Sequence, residues 1–180
     1  MSSSLLDAKK IIKDIGIKSG DKIADFGAGR TGHFVFPASQ IVGEDGAVYA
    51  VDVVKEVLDM IDGRRKLFSI LNLHTVWGDF ERKGGVRISE KSLDWVFVVN
   101  NIWCVIDIGA LCVEIKRVLK PEGKILIVDW RRNVDNPAAP AKEKRKDALQ
   151  VEALLLKSGI VKDSDLDISS THWGMIFKLG

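Results

Sequence analysis

An alternation constrains this chain more than any other feature. Short, nearly continuous apolar runs recur along it, each followed by a stretch whose apolar residues fall at helical spacing. The runs are the first half of KIADFGAGRTGHF (22–34), AVYAVDV (47–53), HTVWGDF (74–80), LDWVFVVNN (93–101) and GKILIVDW (123–130). Residues 33–42, 54–70 and 104–119 carry the helical pattern between them, with Gly63 a candidate break and Pro37 placed to sit in a first turn. Strands apolar on both sides need cover on both faces. The expected fold is therefore α/β: a doubly wound, Rossmann-like, mostly parallel sheet in a three-layer α/β/α arrangement. A helix over 5–16 ends at Gly16, polar loops fill 81–92 and 131–140, and a further helix over 141–158 meets Gly159 as its terminating residue. Residues 165–179 alternate well enough for one or two closing strands.

A chain of 180 residues fits one domain, expected over 1–180 with an N-terminal helix within 1–20 and the core in 21–180. With 46% hydrophobic residues it can build a core without disulfide or metal. No apolar run reaches the ~20 residues of a membrane span, and MSSSLLDAKK lacks the apolar stretch of a secretory signal. Cys104 and Cys112 lie eight apart on a predicted helix, so they read as core residues in a reducing, cytoplasmic setting. No CxxC occurs, and His33, His74 and His172 lack ligand spacing, so no metal is expected. A net charge of +2 is too small to imply a nucleic-acid partner. The charged run Lys142–Lys146 reads as a solvated helix face, while Arg131 and Arg132 follow the fifth strand and could meet an acidic substrate.

In doubly wound sheets the ligand lies beyond the carboxyl ends of the strands, where the strand order reverses. Gly27, Asp52, Asp79, Asn100 and Asp129 each fall at or just after a predicted strand end. The turn Gly27-Ala28-Gly29-Arg30-Thr31-Gly32 lets a ligand approach the backbone closely, and the following helix offers free N–H groups to an anion such as a pyrophosphate or an amino-acid carboxylate. Asp52, 20 residues after Gly32, can accept from both ribose hydroxyls of an adenosine, or can cap the helix that follows. Asp79 can accept from an adenine amino group beside the ring of Phe80.

These segments in this order resemble the class I S-adenosylmethionine-dependent methyltransferases, in particular the small single-domain and ubiquinone-biosynthesis-type members. DFGAGRTGHF (25–34), VYAVDV (48–53), WGDF (77–80), LDWVFVVNNIW (93–103) and above all EIKRVLKPEGKILIVDW (114–130) carry the resemblance, which covers residues 10–179. The family usually spaces its glycines GxGxG, whereas Arg30 and Thr31 put two residues before Gly32. The resemblance implies a sheet order 3-2-1-4-5-7-6 with the last strand antiparallel, and S-adenosylmethionine as cofactor. It implies contacts from Asp25, Gly27, Ala28 and Gly29 to the amino-acid end, from Asp52 and Val53 around the ribose, and from Asp79 and Phe80 around adenine. Asn100 and Asn101 would line the sulfonium and the transfer channel, with the Trp103 ring near the cation. A general base is needed only when the acceptor must lose a proton, and His33, Asp129 and His172 are the candidates. The acceptor, a small metabolite or an exposed group on a macromolecule, is not specified. Two other readings compete. A nicotinamide-dependent oxidoreductase shares the glycine fingerprint, but the one tyrosine, Tyr49, has Val53 four residues on, where the Tyr-x-x-x-Lys pair needs lysine. A methyltransferase-like subunit that binds without turnover is the other.

Overall fold

The computed structural model describes residues 6–180. Seven strands form one sheet: β1 (Lys22–Phe26), β2 (Ala47–Asp52), β3 (Leu73–Trp77), β4 (Leu93–Val99), β5 (Leu119–Trp130), β6 (Ile160–Leu166) and β7 (His172–Leu179). The helices are α1 (Ala8–Asp14), α2 (Val35–Val42), α3 (Lys55–Leu67), α4 (Ile108–Val118) and α5 (Ala148–Lys157). The strand order is β3-β2-β1-β4-β5-β7-β6, as expected. β1 pairs in parallel with both β2 and β4, so the order reverses between them, while β7 runs antiparallel to β5 and β6. Alternation sorts the side chains. Phe26, Val96, Val98, Ile125 and Ile127 pack with α4 and α5 on one face. Ile23, Val48, Phe97, Leu126 and Val128 pack with α1, α2 and α3 on the other. Among the described residues no helix is long and apolar enough to cross a membrane.

Local chemistry sets most element ends. Asp7 accepts from the Lys10 N–H and starts α1; Leu5, the first residue of the predicted helix, lies outside the described residues. Pro37 does occupy the first turn of α2, where its missing N–H costs nothing. Gly63 does not break α3, which runs through it. At α4 the expectation needs correcting. Glu81 accepts from the N–H groups of Ile106 and Asp107, and Asp107 accepts from Ala110, so the helix begins only at Ile108. Cys104 is therefore not helical. It is exposed on the preceding turn, with Sγ bonded to the Asn101 carbonyl, and only Cys112 belongs to the core. β5 begins earlier than expected, at Leu119: Leu93 pairs with Leu119 and Trp95 with Lys124, so the segment Lys120-Pro121-Glu122-Gly123 forms an irregularity between the two.

The helix expected over 141–158 is also shorter. Residues Lys142–Lys144 form a single 3-10 turn, and α5 starts at Ala148. The charged run is not a solvated face throughout. Arg145 is buried and donates to the carbonyls of Pro140, Arg131, Arg132 and Val134, which fixes the loop after β5. Lys146 donates to the carbonyls of Ile102 and Val105 at 2.7 and 2.9 Å, which fixes the turn after β4. Charge counted along a sequence does not reveal cations whose partners are distant carbonyls.

A comparable clamp holds the 81–92 loop. The fully buried Glu114 accepts from the N–H groups of Gly84 and Val86, and takes Arg117 on both oxygens at 2.6 and 3.0 Å. Burial alone would raise this carboxyl, but the bonds from Arg117, Gly84 and Val86 outweigh it and hold it below its ordinary value. Glu114→Ala leaves two backbone donors without their acceptor and the Arg117 charge without its carboxylate, held among the described residues only by the carbonyls of Val86 and Ile88. It is expected to lower unfolding stability by about 3–5 kcal/mol, read from urea denaturation.

Candidate functional site

The site lies where β1 and β4 end side by side. The chain leaves β1 by hanging the N–H groups of Gly27 and Ala28 on the Val51 carbonyl of β2, at 2.8 and 3.1 Å. Gly27 turns with φ +84°, and a Cβ there would stand 2.4 Å from the Asn101 side-chain amide. That closeness has a purpose, because Asn101 Nδ2 donates to the carbonyls of Gly27 and Val99 at 2.8 Å each. Asn100 takes the left-handed conformation, φ +55°, and its N–H bonds the Val128 carbonyl of β5. Trp103 donates its indole N–H to the Asn100 carbonyl.

Together the turn Gly27–Gly29, His33, Phe34, the β4 end Val99–Asn101 and Asp25 enclose a cavity of about 210 Å³. The additional residue of the glycine segment is absorbed outside it. The Gly32 N–H bonds the Gly29 carbonyl in a turn that leaves Arg30 and Thr31 exposed. Among the described residues, two buried oxygens of the cavity residues, Asp25 Oδ1 and Asn100 Oδ1, have no hydrogen-bond partner. An orphaned buried acceptor is costly, and two in one cavity point to a ligand that brings donors. Burial, and secondarily the nearby Asp52, push the Asp25 carboxyl up to about 7.

Asp52 sits beside this cavity. Its Oδ1 accepts from the Val54 N–H at 3.0 Å and its Oδ2 more loosely from Gly29 at 3.4 Å. The first bond closes a local turn rather than capping α3, whose N-cap is Val54. Val53 is 51% exposed, and its carbonyl receives the indole N–H of Trp77, itself 53% exposed. Trp77 received no role from the sequence; its place next to Val53 emerges only when β2 and β3 pair. Asp79 is half-buried, accepts from the Glu81 N–H, and lines a separate cavity of about 280 Å³ with Trp77, Arg82, Lys83 and Arg87. Phe80, half-buried, stacks one face on Phe26 at 5.4 Å and 8°, and Val53, Val54 and Trp77 are exposed apolar surface near Asp52.

The base candidates separate clearly. Asp129 is buried and raised to about 6 by burial, but both oxygens are occupied, by the N–H groups of Trp130 and Trp103. It organises the turn after β4 instead of facing the cavity. His172 is buried against Trp130 with its pKa lowered to about 4 by burial and by Arg131, so the ring is neutral at pH 7. His33 alone of the three lines the cavity. Its Nε2 lies 2.5 Å from the Leu6 carbonyl, so the neutral ring carries its proton there and keeps the lone pair on Nδ1. No cluster of metal-ligating side chains occurs among the described residues.

A reversed-order parallel sheet with a glycine turn at β1, an acid ending β2 and a closing antiparallel β7 defines the class I S-adenosylmethionine-dependent methyltransferase fold. The family model described as a methyltransferase domain matches residues 17–179, and the chain belongs to that family. This decides the shared glycine fingerprint for S-adenosylmethionine over a nicotinamide. A demethylmenaquinone methyltransferase from Staphylococcus aureus is 30% identical over 121 residues, 67% of this chain and 48% of that protein. The chain thus spans about half the length of the curated relatives it matches. In fold it is similar to a SAM-dependent methyltransferase from Aquifex aeolicus, with TM-score 0.89 and 23% identity over 98% of this chain and 91% of that one. It also resembles geranyl diphosphate C-methyltransferase from Streptomyces coelicolor, solved with S-adenosyl-L-homocysteine, at TM-score 0.70 and 14% identity over 96% and 79% of the two chains.

The Asp25 shift has a sign that can be measured. Its pKa rises from 3.8 to about 7 on folding, so the folded chain holds a proton that the unfolded chain releases. The stability this contributes is complete below about pH 4 and is lost as pH rises through 7. The stability of the parent relative to Asp25→Asn is expected to fall by up to about 4 kcal/mol between pH 4 and pH 8, read from urea midpoints across that range.

Proposed function

We propose that this chain transfers a methyl group from S-adenosylmethionine to an acceptor. The observation that carries the reading is the pair of partnerless oxygens, Asp25 Oδ1 and Asn100 Oδ1, in a cavity beside the glycine turn. The ammonium of an amino acid brings the donors those oxygens lack. The N-terminus of α2, which has no side-chain cap, suits its carboxylate. Gly27, Ala28 and Gly29 supply backbone at close range, Asp52 takes the ribose hydroxyls, and Val53, Trp77 and Asp79 adjoin the base. When bound, the cofactor supplies an electrophilic methyl group that a nucleophile takes in line.

The protein's part is to orient and to exclude water. Asn101 holds the turn and the β4 end in register. Trp103 fixes the Asn100 carbonyl and adds an aromatic surface near the expected cation. His33, with its lone pair on Nδ1, is the side chain placed to take a proton where an acceptor must lose one.

Asp52→Ala is expected to weaken S-adenosylhomocysteine binding by about 1–3 kcal/mol, because charge-assisted hydrogen bonds to the ribose are lost. Titration calorimetry on the parent and the variant measures this. Equal affinities contradict the ribose assignment, and absence of binding to the parent contradicts the function.

A further inference from the structure

A third cavity, of about 720 Å³, opens on the side of β5 away from β4, bounded by Arg131, Arg132, Asp147 and the first turn of α5, Ser170 and Trp173. Its wall is built from within. The buried Arg145 guanidinium donates at 2.7–3.2 Å to four acceptors, the carbonyls of Pro140, Arg131, Arg132 and Val134, and none of these is a carboxylate. Carbonyls bound to Arg145 are not free to repel an anion in the cavity. Arg131 and Arg132 are themselves exposed. Among the described residues the Arg131 side chain makes one loose bond, Nε to the Ser169 carbonyl at 3.4 Å. Arg132 meets Asp147 at 3.3 Å, with both side chains about half exposed.

Two further features favour negative charge. α5 begins here, and its N-cap Asp147 makes no side-chain bond to the first turn, so the leading N–H groups stay available; the Asp147 carboxylate also lines the cavity but is matched by Arg132, which leaves Arg131 in excess. Trp173 is 5% exposed, lines the cavity, and its indole N–H has no hydrogen-bond partner among the described residues. A buried indole normally finds an acceptor, and an oxyanion is one. The place is also informative. Trp173 pairs with Asp129 across β7 and β5, and the Asn100 N–H bonds Val128 of β5. The cavity therefore lies two strand positions, roughly 10 Å, from the cofactor crevice along the same sheet edge.

We propose that this cavity is an anion subsite that takes a carboxylate or phosphate group of the methyl acceptor, so that the acceptor is an acid. Calling the anion part of the acceptor rests on the methyl-transfer reading; the anion site itself does not. The test is a titration of 15N-labelled protein with inorganic phosphate and, separately, with succinate. The Trp173 indole resonance, assigned by its loss in Trp173→Phe, is followed. One or both anions are expected to shift it saturably in the low-millimolar range or tighter, and the responding anion identifies the group. Arg131→Gln/Arg132→Gln should weaken that response at least tenfold. No saturation with either anion, or the same response in the double variant, overturns the site. S-adenosylhomocysteine should bind the double variant as it binds the parent, so failure of the cofactor reading shows in calorimetry and not in this titration. In methyl-label transfer to cell extract split on an anion exchanger, label is expected in the retained fraction. Label confined to the unretained fraction overturns the assignment to the acceptor.

Discussion

One side-chain amide holds the site together. Asn101 Nδ2 donates to Val99 at the end of β4 and to Gly27 after β1, across the point where the strand order reverses. At such a point the neighbouring connections run to opposite faces, and backbone carbonyls at the strand ends lose their sheet partners. The amide satisfies two of them and sets the spacing between the two strand ends. It also requires residue 27 to have no Cβ. The glycine is there as much for a protein neighbour as for a ligand.

Around this clasp the fold keeps groups that weaken it. Asp25 is buried as an acid, Asn100 adopts a left-handed backbone, and both leave an oxygen without a partner. Each such group costs on the order of 1–3 kcal/mol. The surrounding turns are held by buried or half-buried charges meeting backbone: the half-buried Lys146 and the buried Asp129 around residues 102–105, Arg145 along the loop after β5, and Glu114 under the 81–92 loop. Stability is concentrated in the supports, and the unsatisfied polar groups are concentrated in the crevice. That distribution suits a cavity whose polar partners arrive with a ligand.

The sheet was legible because two-sided burial leaves a local signature: five apolar runs gave five parallel strands in the expected order, and the glycine and acid positions followed from the strand ends. What stayed hidden depends on partners far apart in sequence. The late start of α4 follows from Glu81, 25 residues upstream of its Ile106 partner. The buried place of Arg145 and the half-buried place of Lys146 follow from carbonyls that only the folded chain brings near. Trp77 acquires a place beside Val53 through strand pairing, and Phe80 meets Phe26 face to face. Asp129 sits at the right edge of the sheet, yet its oxygens are occupied by backbone. Position at the carboxyl edge was readable; which side chains remain free there was not.

The most direct test is a crystal of this protein soaked with S-adenosylhomocysteine. The account requires the nucleoside to lie across the upper rim of β1, β2 and β4, with its sugar on Asp52 and its ammonium within hydrogen-bond reach of Asp25 and Asn100. Density elsewhere, or a crevice in which those two oxygens still face no donor, would contradict it.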